Sequence, residues 1–183
     1  MSKTSNQDLF RKLSNNRLFR LYLMYRLPLT YLAGIKMVSF RRDSATISMR
    51  YKWINTNPFK SMYFAAMNMG AEMSSGLLLF AHIKEVSPKV SMLLEEFTSK
   101  YSKKVVGKVL FICQEGDELR NAAQIASEST DIQKITTKVY ATDEMGTILA
   151  TFELKWSLKN LAESNFSDKQ SSSTERTRPQ SSH

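Results

Sequence analysis

The stretch "NTNPFKSMYFAAMNMGAEMSSGLLLFAHIK", residues 55–84, is almost wholly apolar, yet one carboxylate, Glu72, stands at its middle. It is too long for an ordinary strand, and Pro58 or Ser61 can open a helix with Asn57 as its cap. The spacing predicts a helix running to about Ile83, with Pro88 beyond it. At 100° per residue, Ser61, Ala65, Asn68, Glu72 and Ser75 or Gly76 then share one stripe. The polar groups of an apolar helix therefore line up. Ala65, Ala66, Gly70, Ala71, Ser74, Ser75 and Gly76 are small, which lets a helix lie close to a sheet and leaves room for a ligand.

Reading outward, "SATISMRYKW" alternates strictly. Ala45, Ile47, Met49, Tyr51 and Trp53 face one way, as in a half-buried strand. "RRDS" is a turn, so Ile35–Phe40 and Ala45–Trp53 pair as a hairpin. Further upstream, residues 5–26 mix Leu9, Phe10, Leu13, Phe19, Leu21, Tyr22 and Tyr25 with arginines at helical spacing, and Pro28 is expected to end that helix. Downstream, four strand-like runs follow: Lys89–Tyr101, Val105–Glu115, Ile132–Ala141 and Thr147–Leu158. A short helix near Asp117–Glu128 interrupts them, and Gly146 turns the last pair. A single long apolar helix needs a sheet to wrap it. The expectation is an α+β layer structure of six mostly antiparallel strands. Residues 1–30 form a basic amphipathic helical segment, 31–159 the domain, and 160–183 a polar, Ser-rich tail expected to be disordered.

The net charge of +9 is unevenly spread. Residues 1–42 hold nine Lys/Arg against one acid, Asp8, while the rest of the chain is nearly balanced. A basic segment can meet anionic lipid, nucleic acid or a phosphorylated ligand, or be a solvated helix face. The basic residues match no nucleic-acid reading module, so nucleic-acid binding is not expected. The single cysteine, Cys113, allows no internal disulfide, and no secretory signal is visible; a cytoplasmic setting is expected. His82 and His183 are the only histidines, so neither a zinc site of His/Cys type nor any other cofactor is expected. His82 lies roughly 80° from Glu72 around the helix and forms no dyad with it.

Two segments, "RLPLTYLAGIKM" (26–37) and "NPFKSMYFAAMNMGAEMSSG" (57–76), together with the helix before the first strand, resemble the hotdog-fold superfamily. Within it, the likeness is to a family of unknown function and spans roughly residues 10–158. In that fold a curved antiparallel sheet wraps one central helix, and its best-known members are thioesterases. The phenylacetyl-CoA-type members carry Asn, three residues, a hydroxyl residue, an apolar one, His-Gly-Gly, and an acid nine residues after the His. Asn57, Ser61 and Met62 fall on the first positions, Tyr63, Phe64 and Ala65 on His-Gly-Gly, and Glu72 on the acid.

The resemblance implies that the helix N-terminus polarises a thioester carbonyl. It also implies that Glu72 acts as base or nucleophile, that Asn57 positions water or carbonyl, and that Ser61, Tyr63, Phe64, Ala65, Asn68 and Ser75 contact substrate. Members are dimers with the site between subunits, so a homodimer or dimer of dimers acting on acyl-CoA or an acyl-carrier thioester is expected.

Three alternatives stay open. The chain can be a non-catalytic module binding fatty acyl or acyl-CoA ligands in a tunnel lined by Met62, Met67, Met69 and Met73. Glu72 can be a structural acid paired with a base such as Arg50. Met62–Ile83 is long enough to span a bilayer, although Glu72 at its centre would cost about 2.5–3.5 kcal/mol. Peripheral contact of the basic segment with anionic membrane is compatible with the acyl readings.

Overall fold

The computed structural model describes residues 10–161 except 12 and 88. The start of the helix expected from residue 5, Pro88, and nearly all of the expected tail lie outside the described residues.

Helix α1 spans Asn16–Arg26 rather than running through from residue 5. Asn15 interrupts the run: its Oδ1 accepts from the Arg17 and Leu18 amides at 3.0 and 3.4 Å, which is the N-cap arrangement. Pro28 does not merely stop a helix. It opens a second one, α2 (Pro28–Ala33), at a first-turn position where a missing N–H costs nothing. Gly34, at φ 85°, closes α2 in the left-handed conformation that glycine reaches freely.

The hairpin of β1 (Lys36–Phe40) and β2 (Ala45–Arg50) pairs Phe40 with Ala45 and Met37 with Ile47. β2 is shorter than the alternation implied. After Tyr51 the chain turns into a 3₁₀ turn, Trp53–Asn55, and Trp53 is 85% exposed instead of facing the core. Then come α3 (Phe64–Val86), β3 (Val90–Tyr101), β4 (Lys108–Cys113), α4 (Gly116–Glu128), β5 (Gln133–Thr142) and β6 (Ile148–Asn160). All pairings are antiparallel, and the six described strands form one sheet in the order β1-β2-β4-β5-β6-β3. This is the expected α+β hotdog architecture. It leaves β1 and β3 at the two edges.

α3 touches five strands, β2 to β6, and is covered on another side by α4. That environment explains its composition, since a helix enclosed on most sides has little need of a polar face. Leu78, Leu79, Met67 and Ile83 are fully buried beside Phe111 and Phe152 of the sheet. Each such side chain contributes about 1.5–3 kcal/mol by leaving water. The small residues set the approach distance. A Cβ on Gly70 would lie 2.3 Å from the Phe111 ring, so only glycine lets α3 settle onto β4.

Candidate functional site

The entry to α3 differs from the expected cap. The helix begins at Phe64 with Tyr63 as N-cap, and residues 57–62 form a closed loop ahead of it. Asn57 organises that loop. Its Oδ1 accepts from the Phe59 amide at 2.9 Å and the Ser61 amide at 3.2 Å, and its Nδ2 donates to Ser61 Oγ at 3.1 Å. A Thr56–Met62 bridge closes the loop, and a 2.8 Å bond from the Met62 amide to the Val105 carbonyl ties it to the connection between β3 and β4. Lys60 takes a positive φ of 55° to close it. Ser61 therefore precedes the helix and leaves the stripe that 100° spacing assigned to it. Asn57 spends its side chain on the loop.

The Tyr63 amide is also occupied, donating to the Asn55 carbonyl at 2.8 Å. It is not an available donor for a ligand, contrary to the arrangement implied by the resemblance. Phe64, Ala65 and Ala66 follow in the first turn, where amides have no intrahelical acceptor, and Tyr63 supplies no side-chain cap. Tyr63 and Phe64 are both about half exposed (54% and 51%).

Two clefts flank this helix start. One, of about 310 Å³, is apolar and lined by Leu29, Leu32, Ile54, Tyr63, Ala65 and Met69, among others. Of the four methionines expected to line an acyl tunnel, Met69 alone lines this cleft. Met62, Met67 and Met73 are buried core. The other cleft, of about 300 Å³, brings together Asn57, Ser61, Phe64, Tyr101, Lys103 and Lys104. Glu72 lines neither cleft.

About one turn in, the polar stripe of α3 begins. Asn68 Oδ1 accepts from Tyr101 Oη at 2.5 Å and Ser99 Oγ at 3.0 Å, both from β3. The Tyr101 ring stacks on Phe64 at 4.2 Å, and burial pushes the Tyr101 phenol up. Asn68 Nδ2 donates no hydrogen bond among the described residues. Tyr101 and Ser99 were not among the residues expected at the site. The signal for them is the alternation Phe97, Ser99, Tyr101, which places them on one face of β3.

Glu72 follows Asn68 by one turn and is mostly buried. Its carboxyl has no ion pair or hydrogen bond among the described residues, and burial raises its pKa above the ordinary 4.5. Arg50, the partner considered from sequence, is exposed at the end of β2 and acts on Glu144 instead. Gly76 makes room for the acid: a Cβ there would lie 2.8 Å from Glu72 Oε1 and 3.1 Å from the Trp156 ring. Ser75 Oγ, on the same helix, and Trp156 Nε1, on β6, are buried without a hydrogen-bond partner. Buried polar atoms are ordinarily paired.

Among the described residues no group of three His, Cys, Asp or Glu could hold a metal ion, and no helix is long and apolar enough to cross a membrane. Cys113 is buried, and its thiol is pushed up to about 11 by burial. It is no nucleophile near neutral pH.

A family model described as a domain of unknown function, DUF4442, matches residues 15–158. No protein of curated function matches the chain in sequence. Among solved structures, the fold is similar to that of a Pseudomonas aeruginosa protein of unknown function described as a "Probable Thioesterase". The identity is 18% and the TM-score 0.68, covering 79% of this chain and 95% of that one. It is similar to a thioesterase from Haemophilus influenzae at 15% identity and TM-score 0.61, covering 85% and 97%. It is also similar to a mutant thioesterase from Pseudomonas aeruginosa at 14% identity and TM-score 0.62, covering 84% and 99%. At these identities the likeness is one of fold.

Proposed function

Because the chain belongs to the DUF4442 family, a domain of unknown function, and has a thioesterase-like hotdog fold, we propose that it is an acyl-thioester hydrolase. The observation that carries the reading is the unpartnered Glu72 carboxyl, raised in pKa by burial and standing one helical turn beyond Asn68. A carboxyl moved toward neutral pH is suited to general-base work. In this reading Glu72 takes a proton from water as the water oxygen attacks the thioester carbon. The Phe64 and Ala65 amides, at the positive end of α3, stabilise the oxyanion. Collapse of the intermediate breaks the C–S bond, and the leaving thiolate takes the proton back from Glu72. Water and thioester thus become carboxylic acid and thiol. Asn68 Nδ2 orients the acyl group. Lys103 and Lys104 face the phosphates of coenzyme A.

The pocket is completed by a second copy. β3 is a twelve-residue edge strand with one side unpaired, and it carries Ser99 and Tyr101 against the polar stripe. Pairing β3 with its counterpart removes the exposed edge and brings the partner chain up to that stripe.

Two specific observations favour the alternative, a non-catalytic module that binds acyl ligands. The Tyr63 amide and the Asn57 side chain are both committed to the loop, and Phe64 stands where the resemblance has a glycine. Incubating the protein with a panel of acyl-CoAs and following free thiol separates the two. Hydrolysis that falls about 10²–10⁴-fold in Glu72→Gln supports the hydrolase. No release from any acyl-CoA, together with a raised melting temperature, supports the binding module.

A further inference from the structure

α1 carries two apolar stripes. Phe19 and Leu23 are fully buried against the domain, while Leu18, Leu21 and Tyr25 point outward on the opposite side. The outward stripe continues onto α2 through Leu29 and Leu32. These five side chains are exposed by 47%, 50%, 77%, 67% and 56% in chain order. Arg17 and Arg20 flank the outer stripe. With Leu21, Met24 and Tyr31 they line an open groove of about 240 Å³, where the Arg20 guanidinium lies 5.8 Å from the Tyr31 ring. No ion pair among the described residues engages Arg17, Arg20 or Arg26. The sequence between residues 9 and 42 contains no acid.

We propose that the α1–α2 face docks this protein onto an anionic lipid surface. Leu18, Leu21, Tyr25, Leu29 and Leu32 enter the headgroup boundary, and Arg17 and Arg20 meet lipid phosphates. An outward apolar stripe edged by cations is what such a surface selects, and each cation near it adds attraction. A nucleic acid would match the arginines but not the leucines. A second copy of the chain fits poorly, because the face would meet its own positive charge. α1 also packs beside β1, at the opposite end of the sheet from the β3 edge assigned to dimerisation. Leu29 and Leu32 form one wall of the apolar cleft at the start of α3, so docking brings that opening to the bilayer. The docking face does not depend on the hydrolase reading.

The test is co-sedimentation of the full chain with vesicles of phosphatidylcholine alone and of phosphatidylcholine mixed with phosphatidylserine, at low and high salt. Binding is expected to the mixed vesicles only and to weaken with salt. It should fall about thirtyfold in Arg17→Gln/Arg20→Gln, about fivefold per charge, and be lost in Leu21→Glu/Tyr25→Glu. All four positions are exposed, and unchanged circular dichroism and melting temperature confirm an intact fold. Absent binding, equal binding to both vesicles, or binding that the variants leave untouched would overturn the proposal. So would sedimentation showing that Leu21→Glu/Tyr25→Glu splits a dimer, which would make this face a contact between copies.

Discussion

At the scale of the residue, Glu72 explains why an acid stands in the most apolar segment of the chain. A buried carboxyl with no partner is unfavourable for stability, and linkage gives that cost a direction in pH. Burial raises the folded-state pKa above 4.5, so on going up in pH the unfolded chain ionises first. Stability attributable to Glu72 is therefore highest below pH 4.5, falls as pH rises toward the folded pKa, and stays reduced above it. Glu72→Gln removes this dependence. Urea titrations are expected to find the variant more stable than the wild type at pH 7 and equal to it at pH 4. A wild type that is the more stable at pH 7 would mean that Glu72 has a partner in the fold. Tyr101→Phe deletes one of two bonds to Asn68 Oδ1 while Ser99 keeps the other. The expected loss of stability is about 1 kcal/mol, with a larger fractional loss of hydrolysis because Asn68 is no longer held.

At the scale of the element, α3 depends on close approach. Gly70→Ala forces a Cβ into the Phe111 ring, and overpacking of this kind costs about 1–3 kcal/mol, readable as a lowered melting temperature. The far end of α3 has its own pH response. His82 is fully buried, its Nε2 lies 2.8 Å from the Arg42 carbonyl, and its Nδ1 has no hydrogen-bond partner. Burial is the main cause that lowers its pKa from 6.5. Stability is thus full above pH 6.5 and lost as pH falls below it, because the unfolded chain takes up the proton first. His82→Gln should flatten the decline between pH 6.5 and 5 in thermal melts.

Much of this level was legible in the sequence. Period-two alternation marks β2 and the "RRDS" turn marks its partner β1, the strand-like runs fall within a few residues of β3 to β6, and the unbroken apolar run marks α3. The errors have physical causes. Asn57 has the same chemistry in a helix cap and in a closed loop, a side-chain oxygen accepting amides a few residues on, so the pattern alone sets the helix start too early. Proline at a first helical position is indistinguishable in sequence from proline as a terminator, so nothing local announces α2. The contacts of Tyr101 and Ser99 with Asn68 join elements about thirty residues apart, and no local pattern encodes them.

At the scale of the whole molecule, the sheet order separates two surfaces. β3 is left as an edge beside the polar stripe, and α1 and α2 lie toward β1. Sedimentation velocity is expected to find a two-chain species, and any condition that dissociates it should abolish thiol release along with it. Hydrolysis by a single-chain species would show that the site needs no partner.

The measurement that tests the central claim most directly is the pH dependence of kcat/KM for acyl-CoA hydrolysis, wild type beside Glu72→Gln. The account predicts a rate that rises with pH through a group titrating above 4.5, and that this limb disappears with the residual rate of Glu72→Gln. A wild-type limb that survives unchanged in Glu72→Gln, or no hydrolysis of any acyl-CoA across the pH range, would contradict it.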